Sequence, residues 1–303
     1  MFNKAIKKNV NQIELSGYIK SLISLMKPRV MSLVIFTCAV GLLTSNSNIN
    51  IIDAMIGIFL VALGAGAAGC LNMWYEDDLD ALMTRTCLRP IPTGKINKQQ
   101  ALIFGTFLTV FSVGALNYFA NILSAALLLF TILFYLFVYT IWLKRITPQN
   151  IVIGGVAGSL PPVIGWTIAT NSISLASISL FLIIFFWTPS HFWALSLYKT
   201  DDYKKAKIPM MPLTGGIEKT KLHILVYSLL MLPVVILPYA INFSGLIYLI
   251  PTMMLTIYYN FICYDLYKHK KNKFVLKKAK KVFGYSILYL FLIFVLFLID
   301  NLI

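Results

Sequence analysis

Residues 51–80 read IIDAMIGIFLVALGAGAAGCLNMWYEDDLD, so that a long apolar run leads directly into a group of acidic residues. A helix needs about 20 predominantly apolar residues to cross a membrane, and the run over 51–71 has that length. Gly64, Gly66 and Gly69 would let this helix approach its neighbours closely. The stretch therefore predicts a transmembrane helix with a polar end at one membrane surface.

Further apolar runs of similar length lie on both sides of this stretch. Together the runs cover residues 30–45, 51–71, 101–118, 122–143, 151–170, 175–198, 222–241, 245–265 and 282–299. Hydrophobic residues make up 59% of the 303 residues and charged residues 12%, about half the charged share of a soluble domain. This composition excludes an ordinary soluble enzyme and a disordered chain. We predict an all-α polytopic membrane protein with nine transmembrane helices, in which residues 1–303 form one domain and residues 1–24 a cytoplasmic N-terminal arm.

Positive charges are distributed asymmetrically between the connections. All 26 Lys and Arg residues lie before span 1 or in the connections after spans 2, 4, 6 and 8. Cytoplasmic connections are the ones enriched in Lys and Arg, which predicts a cytoplasmic N-terminus and an external C-terminus. The N-terminus has no targeting extension, which predicts the inner membrane of a bacterium. The net charge of +15 does not indicate nucleic acid binding, because the cations lie between apolar runs; the predicted partner is the lipid bilayer.

Three oxygen-bearing side chains follow the end of span 2. Asn72, Glu76 and Asp80 are spaced four residues apart, so all three should share one face of a helix. Amide and carboxylate oxygens are the ligands that a hard cation such as Mg²⁺ prefers. The face therefore predicts a Mg²⁺ site at the membrane surface. The alternative is a solvated helix end with no specific role.

Basic residues lie close to this acidic face. Arg85 and Arg89 are in the connection after span 2, and Lys27 and Arg29 precede span 1 on the same side of the membrane. Cations beside a carboxylate–metal cluster would stabilise a ligand that is itself anionic. Mg²⁺ bridges carboxylates to a diphosphate, and Arg side chains bind its remaining oxygens, so the pattern predicts a diphosphate site. For Lys27 and Arg29 the alternative is simple anchoring at the cytoplasmic surface.

These motifs resemble a known family. Asn72, Glu76 and Asp80, followed by RTCLRP at 85–90, resemble the signature of the UbiA superfamily of intramembrane prenyltransferases. The blocks YTIWLKRITPQNIVIGGVAG at 139–158 and WTPSHFWAL at 187–195 resemble, more specifically, the branch that transfers farnesyl to protohaem IX. The resemblance implies a UbiA-type bundle that uses Mg²⁺, takes farnesyl diphosphate and haem B as substrates and makes haem O. It also implies haem-copper oxidase assembly or haem A synthase as partners.

The resemblance further implies roles for individual residues. The implied catalytic residues are Asn72, Glu76, Asp80, Lys199 and Asp202, with Asn72, Glu76, Asp80 and Asp202 as metal ligands and Lys27, Arg29, Arg85, Arg89, His191 and Tyr203 as substrate contacts. Two positions depart from the pattern. Glu76 stands where the superfamily usually has Asp, which adds a methylene to the side chain. The second acidic motif of the superfamily is absent after span 6, and Lys199, Asp202 and Tyr203 occupy its place.

His191 is the only histidine in the interior of an apolar run, because His223 lies in the first turn of the run over 222–241. The resemblance implies that it contacts haem, whereas a lone histidine in such a run is often a packing residue. Two other functions are compatible with parts of the pattern. An enzyme that prenylates an aromatic quinone precursor such as 4-hydroxybenzoate should carry the missing second motif. A cation-coupled transporter should place its charges at mid-bilayer on broken helices.

Overall fold

Helices make up most of the computed structural model, which describes residues 16–303. In chain order they are α1 (Ser16–Leu25), α2 (Pro28–Leu43), α3 (Ile51–Tyr75), α4 (Asp77–Leu82), α5 (Lys98–Phe119), α6 (Ile122–Leu133), α7 (Asn150–Ser159), α8 (Pro161–Thr170), α9 (Leu175–Tyr198), α10 (Thr200–Lys205), α11 (Met211–Thr214), α12 (Gly216–Ala240), α13 (Leu246–Lys268) and α14 (Asn272–Leu302). After α6 the chain continues as a π-helix over Phe134–Trp142 and a 3₁₀ turn over Leu143–Arg145. Residues 16–303 contain no β-strand, so the predicted all-α class is confirmed.

Eight helical segments within residues 16–303 are long and apolar enough to cross a membrane. The bent pair α1–α2 adds a ninth if the two helices cross as one span. Each predicted apolar run falls on one of these segments, and the chain is a multi-pass membrane protein. The seventh and ninth predicted spans begin earlier than expected, at Gly216 and Asn272, because their first turns are charged and hydropathy does not recognise them.

The predicted N-terminal arm is helical over part of its length. Residues 1–15 lie outside the described residues, whereas 16–24 belong to α1, which meets α2 at an angle of 54°. The residue before a proline is disfavoured in the right-handed helical conformation, and Lys27, before Pro28, has a positive φ of 54°. Leu25 of α1 is fully buried while Ile19 is exposed. Ser21 is buried and Leu22 is partly buried, whereas the other residues of 16–24 are exposed, so only one face of α1 packs against the bundle.

The fourth and fifth spans are not continuous α-helices. In the π-helix the Thr140 hydroxyl donates a hydrogen bond to the carbonyl oxygen of Tyr135, at 2.8 Å. The fifth span divides at Leu160, because Pro161 cannot donate the backbone hydrogen bond that would continue α7. Single turns of π-helix are frequent at functional sites, and this one ends beside the polar end of α3.

Spans that are neighbours in the chain pack against each other, but α2 also packs extensively against α8 and α9 against α14. A smaller contact between α14 and α2 closes the bundle. One large apolar cluster is built mainly on α9, α12, α13 and α14. A second lies among α2, α3, α6 and α8. The connections 76–97, 146–149, 199–215 and 269–271 lie at the same end of the spans, which we call the basic end. The polar termini of α3, the fourth span and α9 meet there.

Gly165→Ala is expected to destabilise the bundle by about 1–3 kcal/mol, the usual cost of overpacking a buried contact. A Cβ atom on Gly165 of α8 would overlap the backbone carbonyl of Cys38 in α2. Gly158→Ala is the matched control, because a Cβ atom there meets no atom within 4 Å and alanine favours the helix. Thermal unfolding in detergent, followed by the fraction that elutes as folded protein, measures both. Equal stability of the two variants would contradict the close contact between α2 and α8.

Candidate active site

Asn72, Glu76 and Asp80 lie in a row at the basic end of the bundle. α3 ends at Tyr75 and α4 begins at Asp77, but the backbone continues its register across this break. The N–H of Glu76 donates to the Asn72 carbonyl at 3.0 Å, and the N–H of Asp80 donates to the Glu76 carbonyl at 2.8 Å. Each of the three residues is 2% exposed. The row therefore shares one face, as its spacing predicts, and the alternative of a solvated helix end does not hold.

Both carboxylates of the row pair with cations from other parts of the chain. The Lys144 ammonium, at the end of the fourth span, lies 2.5 and 2.6 Å from the two carboxylate oxygens of Glu76. The Arg89 guanidinium lies 2.9 and 2.7 Å from the two carboxylate oxygens of Asp80. An unpaired buried charge is strongly destabilising, so these cations are needed to keep the row folded in the absence of another ligand.

The Asn72 amide joins three elements. Its Nδ2 donates a hydrogen bond to the Thr140 hydroxyl at 3.0 Å, and its Oδ1 accepts one from the Lys27 ammonium at the α1–α2 bend. Because the amide donates on one side and accepts on the other, its orientation is fixed. The row is thus a set of three oxygen groups, each paired with one cation and each cation supplied by a different segment.

Asp202, on α10, belongs to a second polar group at the same end. Its Oδ1 accepts a hydrogen bond from the Thr84 hydroxyl at 2.9 Å, which ties α10 to the connection after α4. The Lys199 ammonium is 3.8 Å from Oδ2, too far for a hydrogen bond. Among residues 16–303 the buried Oδ2 has no hydrogen-bond partner. This oxygen is therefore available to a ligand.

Tyr203 follows Asp202 on α10 and is buried. The residue is 6% exposed. Burial raises the pKa of its hydroxyl, and the carboxylates of Glu76 and Asp202 add to this effect while the charges of Arg85 and Lys144 oppose it. The hydroxyl therefore lies within electrostatic range of charges from both polar groups.

The predicted substrate contacts divide into two sets. Lys27 and Arg89 are partly buried and pair with the row. Arg29 and Arg85 are exposed, and neither forms an ion pair within the part of the chain that the structure describes. The charge of Arg85 nevertheless reaches Tyr203, whereas nothing places Arg29 beside the row.

Two ion pairs tie the outer surface of α4 to neighbouring elements. The Arg145 guanidinium binds the Asp78 carboxylate at 2.8 and 3.0 Å, and the Lys98 ammonium lies 2.6 Å from Asp77 Oδ1. Partial burial acts to raise the pKa of Asp78, but hydrogen bonds from Arg145 and from a backbone N–H outweigh it and hold the pKa below its usual value. Because Arg145 follows Lys144, its pair with Asp78 also fixes the turn that carries Lys144.

His191 lies at the interface between α9 and α14. Its Nδ1 is 2.7 Å from the Ser286 hydroxyl oxygen. Its ring is stacked between Trp187 and Phe283, with centroid distances of 4.3 and 4.6 Å. No hydrogen-bond partner from residues 16–303 contacts Nε2. The histidine is thus well packed, as the alternative expected, and it also keeps one nitrogen for a ligand.

A family model matches most of the chain, over residues 33–288, and it is that of the UbiA prenyltransferase family. The chain belongs to this family. The match spans eight of the apolar runs completely or nearly so, from α2 into α14. The chain is therefore a membrane-embedded prenyltransferase.

Relatives of this prenyltransferase agree with that result. It is 74% identical over 302 residues to the protoheme IX farnesyltransferase of Pelagibacter ubique (strain HTCC1062), and the alignment covers 99% of each chain. It is 48% identical over 285 residues to the protoheme IX farnesyltransferase of Parvibaculum lavamentivorans, which covers 94% of this chain and 90% of the relative.

Solved structures share the fold. A digeranylgeranylglyceryl phosphate synthase has a TM-score of 0.78 at 20% sequence identity, covering 94% of this chain and 98% of that one. A UbiA homolog from Archaeoglobus fulgidus, bound to DMAPP and Mg²⁺, has a TM-score of 0.67 at 17% identity, covering 91% and 99%. At these identities the likeness concerns the bundle alone, and it confirms the UbiA-type architecture.

The donor atoms of the site fit a hard divalent cation. Asn72, Glu76 and Asp80 offer amide and carboxylate oxygens, and Asp202 Oδ2 is buried without a partner. Within residues 16–303, however, no three His, Cys, Asp or Glu side chains lie close enough together to bind one metal ion. A cation at this site would therefore need further oxygens, from water or from an anionic substrate, to complete its coordination.

Sequence reasoning missed Lys144, Thr140 and Thr84. Thr140 and Lys144 lie in the block at 139–158 that carries the family resemblance, but the sequence assigns neither of them a role in the site, and it assigns none to Thr84. One signal was present: Thr140 and Lys144 are four residues apart at the end of a span, the same spacing as Asn72 and Glu76. Nothing in the sequence indicates that Thr84 meets α10.

Proposed function

We propose that this enzyme transfers the farnesyl group of farnesyl diphosphate to a vinyl group of haem B and so makes haem O. The observation that carries the proposal is the buried row of Asn72, Glu76 and Asp80, in which every oxygen group is paired with a cation from another segment. Two relatives at 74% and 48% identity, both named protoheme IX farnesyltransferase, support the choice of acceptor. We further propose that residues 1–303 act as one domain.

The cations of the row are the groups that would receive the diphosphate. Lys144 and Arg89 neutralise the two carboxylates while no ligand is bound. If a divalent cation bound those carboxylates, the Lys144 ammonium and the Arg89 guanidinium would be released and could bind phosphate oxygens. Arg85 and Lys199, which lie nearer the surface, would bind the outer oxygens of the same diphosphate.

The metal ligands in this proposal are Asn72, Glu76 and Asp80, with Asp202 on the opposite side. The Archaeoglobus homolog bound to DMAPP and Mg²⁺ supports Mg²⁺ as the ion. When bound, Mg²⁺ would supply positive charge to the diphosphate as it leaves. Glu76 is one methylene longer than the usual aspartate, and its carboxylate already reaches Lys144 across the bundle.

In the reaction, the bond between C1 of the farnesyl group and the diphosphate oxygen breaks, and the electron pair leaves with the diphosphate. Lys144, Arg89 and Arg85 stabilise the negative charge that grows on this leaving group. C1 forms a new bond to the terminal vinyl carbon of haem B, which leaves a cation on the inner vinyl carbon. A water molecule adds to that carbon and loses a proton to solvent, which gives the hydroxyl group of the product. The apolar interior of the bundle excludes water from the allylic cation until the vinyl group attacks.

Haem B is bound on the side of α9 and α14 in this proposal, with Nε2 of His191 as a contact. Both substrates are lipid-soluble over most of their surface, which suits a site that opens to the bilayer. The haem O product would pass to haem A synthase or to haem-copper oxidase assembly.

Expression in a bacterial host that lacks haem O, followed by mass spectrometry of the extracted haem, tests the proposal. We expect a new haem whose mass corresponds to haem B plus a farnesyl group and one hydroxyl group. The Asp80→Asn variant, expressed to the same level, is the matched control and should give haem B alone. If the wild-type chain left haem B unchanged and instead prenylated an aromatic acid such as 4-hydroxybenzoate, the choice of acceptor would be overturned.

We also propose that the chain lies in the inner membrane of a bacterium with its basic end in the cytoplasm. In a Cys87→Ser background, cysteines at Asn48 and Ser172 should react with an impermeant maleimide from outside the cell. A cysteine at Lys205 should react only after the membrane is opened. The remaining native cysteines, Cys38, Cys70 and Cys263, are buried and give little background. Labelling of Lys205→Cys in intact cells would show that the orientation is the reverse of the one proposed.

A further inference from the structure

A second group of cations lies on the first turns of α14, outside the row. Residues 268–281 contain eight lysines. Of these, Lys278 pairs with Asp265. α14 has 31 residues, about 46 Å at 1.5 Å per residue, whereas the apolar core of a bilayer is about 30 Å thick. Its first turns therefore extend beyond the apolar layer and present their lysines at the membrane surface.

One of these lysines is connected to the aromatic residues around His191. The Lys280 ammonium lies 5.8 Å from the centroid of the Tyr198 ring. Tyr198 packs edge-on against Phe283 at 5.7 Å, and Phe283 stacks on His191 at 4.6 Å. A continuous line of contacts thus runs along the α9–α14 interface from the interior of the bundle to its basic end.

The outer end of this line adjoins the active site. Tyr198 is the last residue of α9, and Lys199 and Asp202 follow within the next turn. On α14, Lys277 lies three residues before Lys280 and is exposed on the same side of the helix. Neither lysine forms an ion pair within residues 16–303. Two unpaired cations therefore stand at the membrane surface above the predicted haem contact.

We propose that Lys280, with Lys277, binds the propionate carboxylates of the haem acceptor. The inference rests on the proposed function, because it concerns the acceptor side of the same site. Haem B carries its two carboxylates on one side of the macrocycle and its vinyl groups on the other. Carboxylates are costly to place in the bilayer interior, so they stay at the surface while the apolar side of the ring enters the bundle. The lysines hold that orientation and direct a vinyl group towards the farnesyl chain.

Anionic phospholipid is the other ligand that a basic membrane surface attracts. The two ligands differ in what they require of individual lysines. Lys281 follows Lys280 directly, but its ammonium lies 5.6 Å from the ring of Tyr258 on α13, on the other side of α14. A lipid surface would respond equally to the loss of either charge, whereas a carboxylate site beside Tyr198 requires Lys280.

The test is a haem titration of the full-length chain in nanodiscs of phosphatidylcholine alone, followed by the Soret absorbance. Lys280→Gln should weaken haem B binding about two- to five-fold, the upper part of the range for one exposed charge pair. Lys281→Gln, the matched control, and Lys280→Arg should bind like wild type. The wild type should bind haem B dimethyl ester more weakly than haem B, and Lys280→Gln should not change the affinity for the ester. The concentration of farnesyl diphosphate that the enzyme requires should not change.

If Lys280→Gln and Lys281→Gln weakened haem B binding equally, the inference would be overturned in favour of general electrostatic attraction by the basic surface. Equal weakening of haem B and its dimethyl ester would overturn it as well, because carboxylates would then not be the recognised groups. If the wild-type chain makes haem O but the Lys280→Gln variant binds haem B as tightly as the wild type, this inference alone is overturned. A wild-type chain that does not use haem B overturns the proposed function and this inference together.

Discussion

Asp80→Asn is expected to lower the rate of farnesyl transfer about 10²- to 10³-fold, the usual cost of removing one group that stabilises charge in the transition state. The asparagine keeps the shape of the side chain but removes the charge that would hold a divalent cation at the diphosphate. The folded protein should remain recoverable, because the Arg89 side chain is 20% exposed and can be solvated. Initial rates with varied farnesyl diphosphate at saturating Mg²⁺ measure the effect.

Asp77→Asn is the matched control, since it makes the same chemical change three residues away. Asp77 pairs with Lys98, whose side chain is 55% exposed, and such surface pairs contribute about 0–1 kcal/mol. Its activity should stay close to wild type. Full activity of Asp80→Asn at saturating Mg²⁺ would make a metal–diphosphate site at this row untenable.

The spans and the composition of the row could be predicted because they depend on local properties. Hydropathy sums over about 20 consecutive residues, and the four-residue spacing of Asn72, Glu76 and Asp80 fixes their common face whatever surrounds them. The UbiA signature could be recognised for the same reason, since its residues are close in sequence. Even the break at Glu76 does not disturb the face, because the backbone hydrogen bonds keep their register.

Lys144 and Thr84 could not be predicted as partners of the site, because they are distant in the chain from the carboxylates that they contact. Lys144 is 68 residues from Glu76, and Thr84 is 118 residues from Asp202. Charge counting placed Lys144 at the same end of the spans as Glu76 but gave no reason for it to meet a particular carboxylate. The π-helix that ends beside α3 has no sequence pattern of its own, since its residues resemble those of any apolar span.

Lys144→Gln is expected to have two separate effects. It should lower the rate of farnesyl transfer about 10²- to 10³-fold, because a cation that stabilises the leaving diphosphate is lost. It should also destabilise the protein by about 3–5 kcal/mol, because the Glu76 carboxylate, whose side chain is 2% exposed, is left without a charged partner. Steady-state rates and thermal unfolding in the same detergent measure the two effects.

The double variant Glu76→Gln/Lys144→Gln distinguishes these roles. Removing both charges leaves no buried carboxylate unpaired, so stability should return most of the way to that of the wild type. Activity should not return, because both a metal ligand and a diphosphate contact are missing. A double variant that regained both stability and activity would show that Lys144 serves only to neutralise Glu76. The pair would then be a structural device, and Arg89 and Arg85 would have to stabilise the leaving group without it.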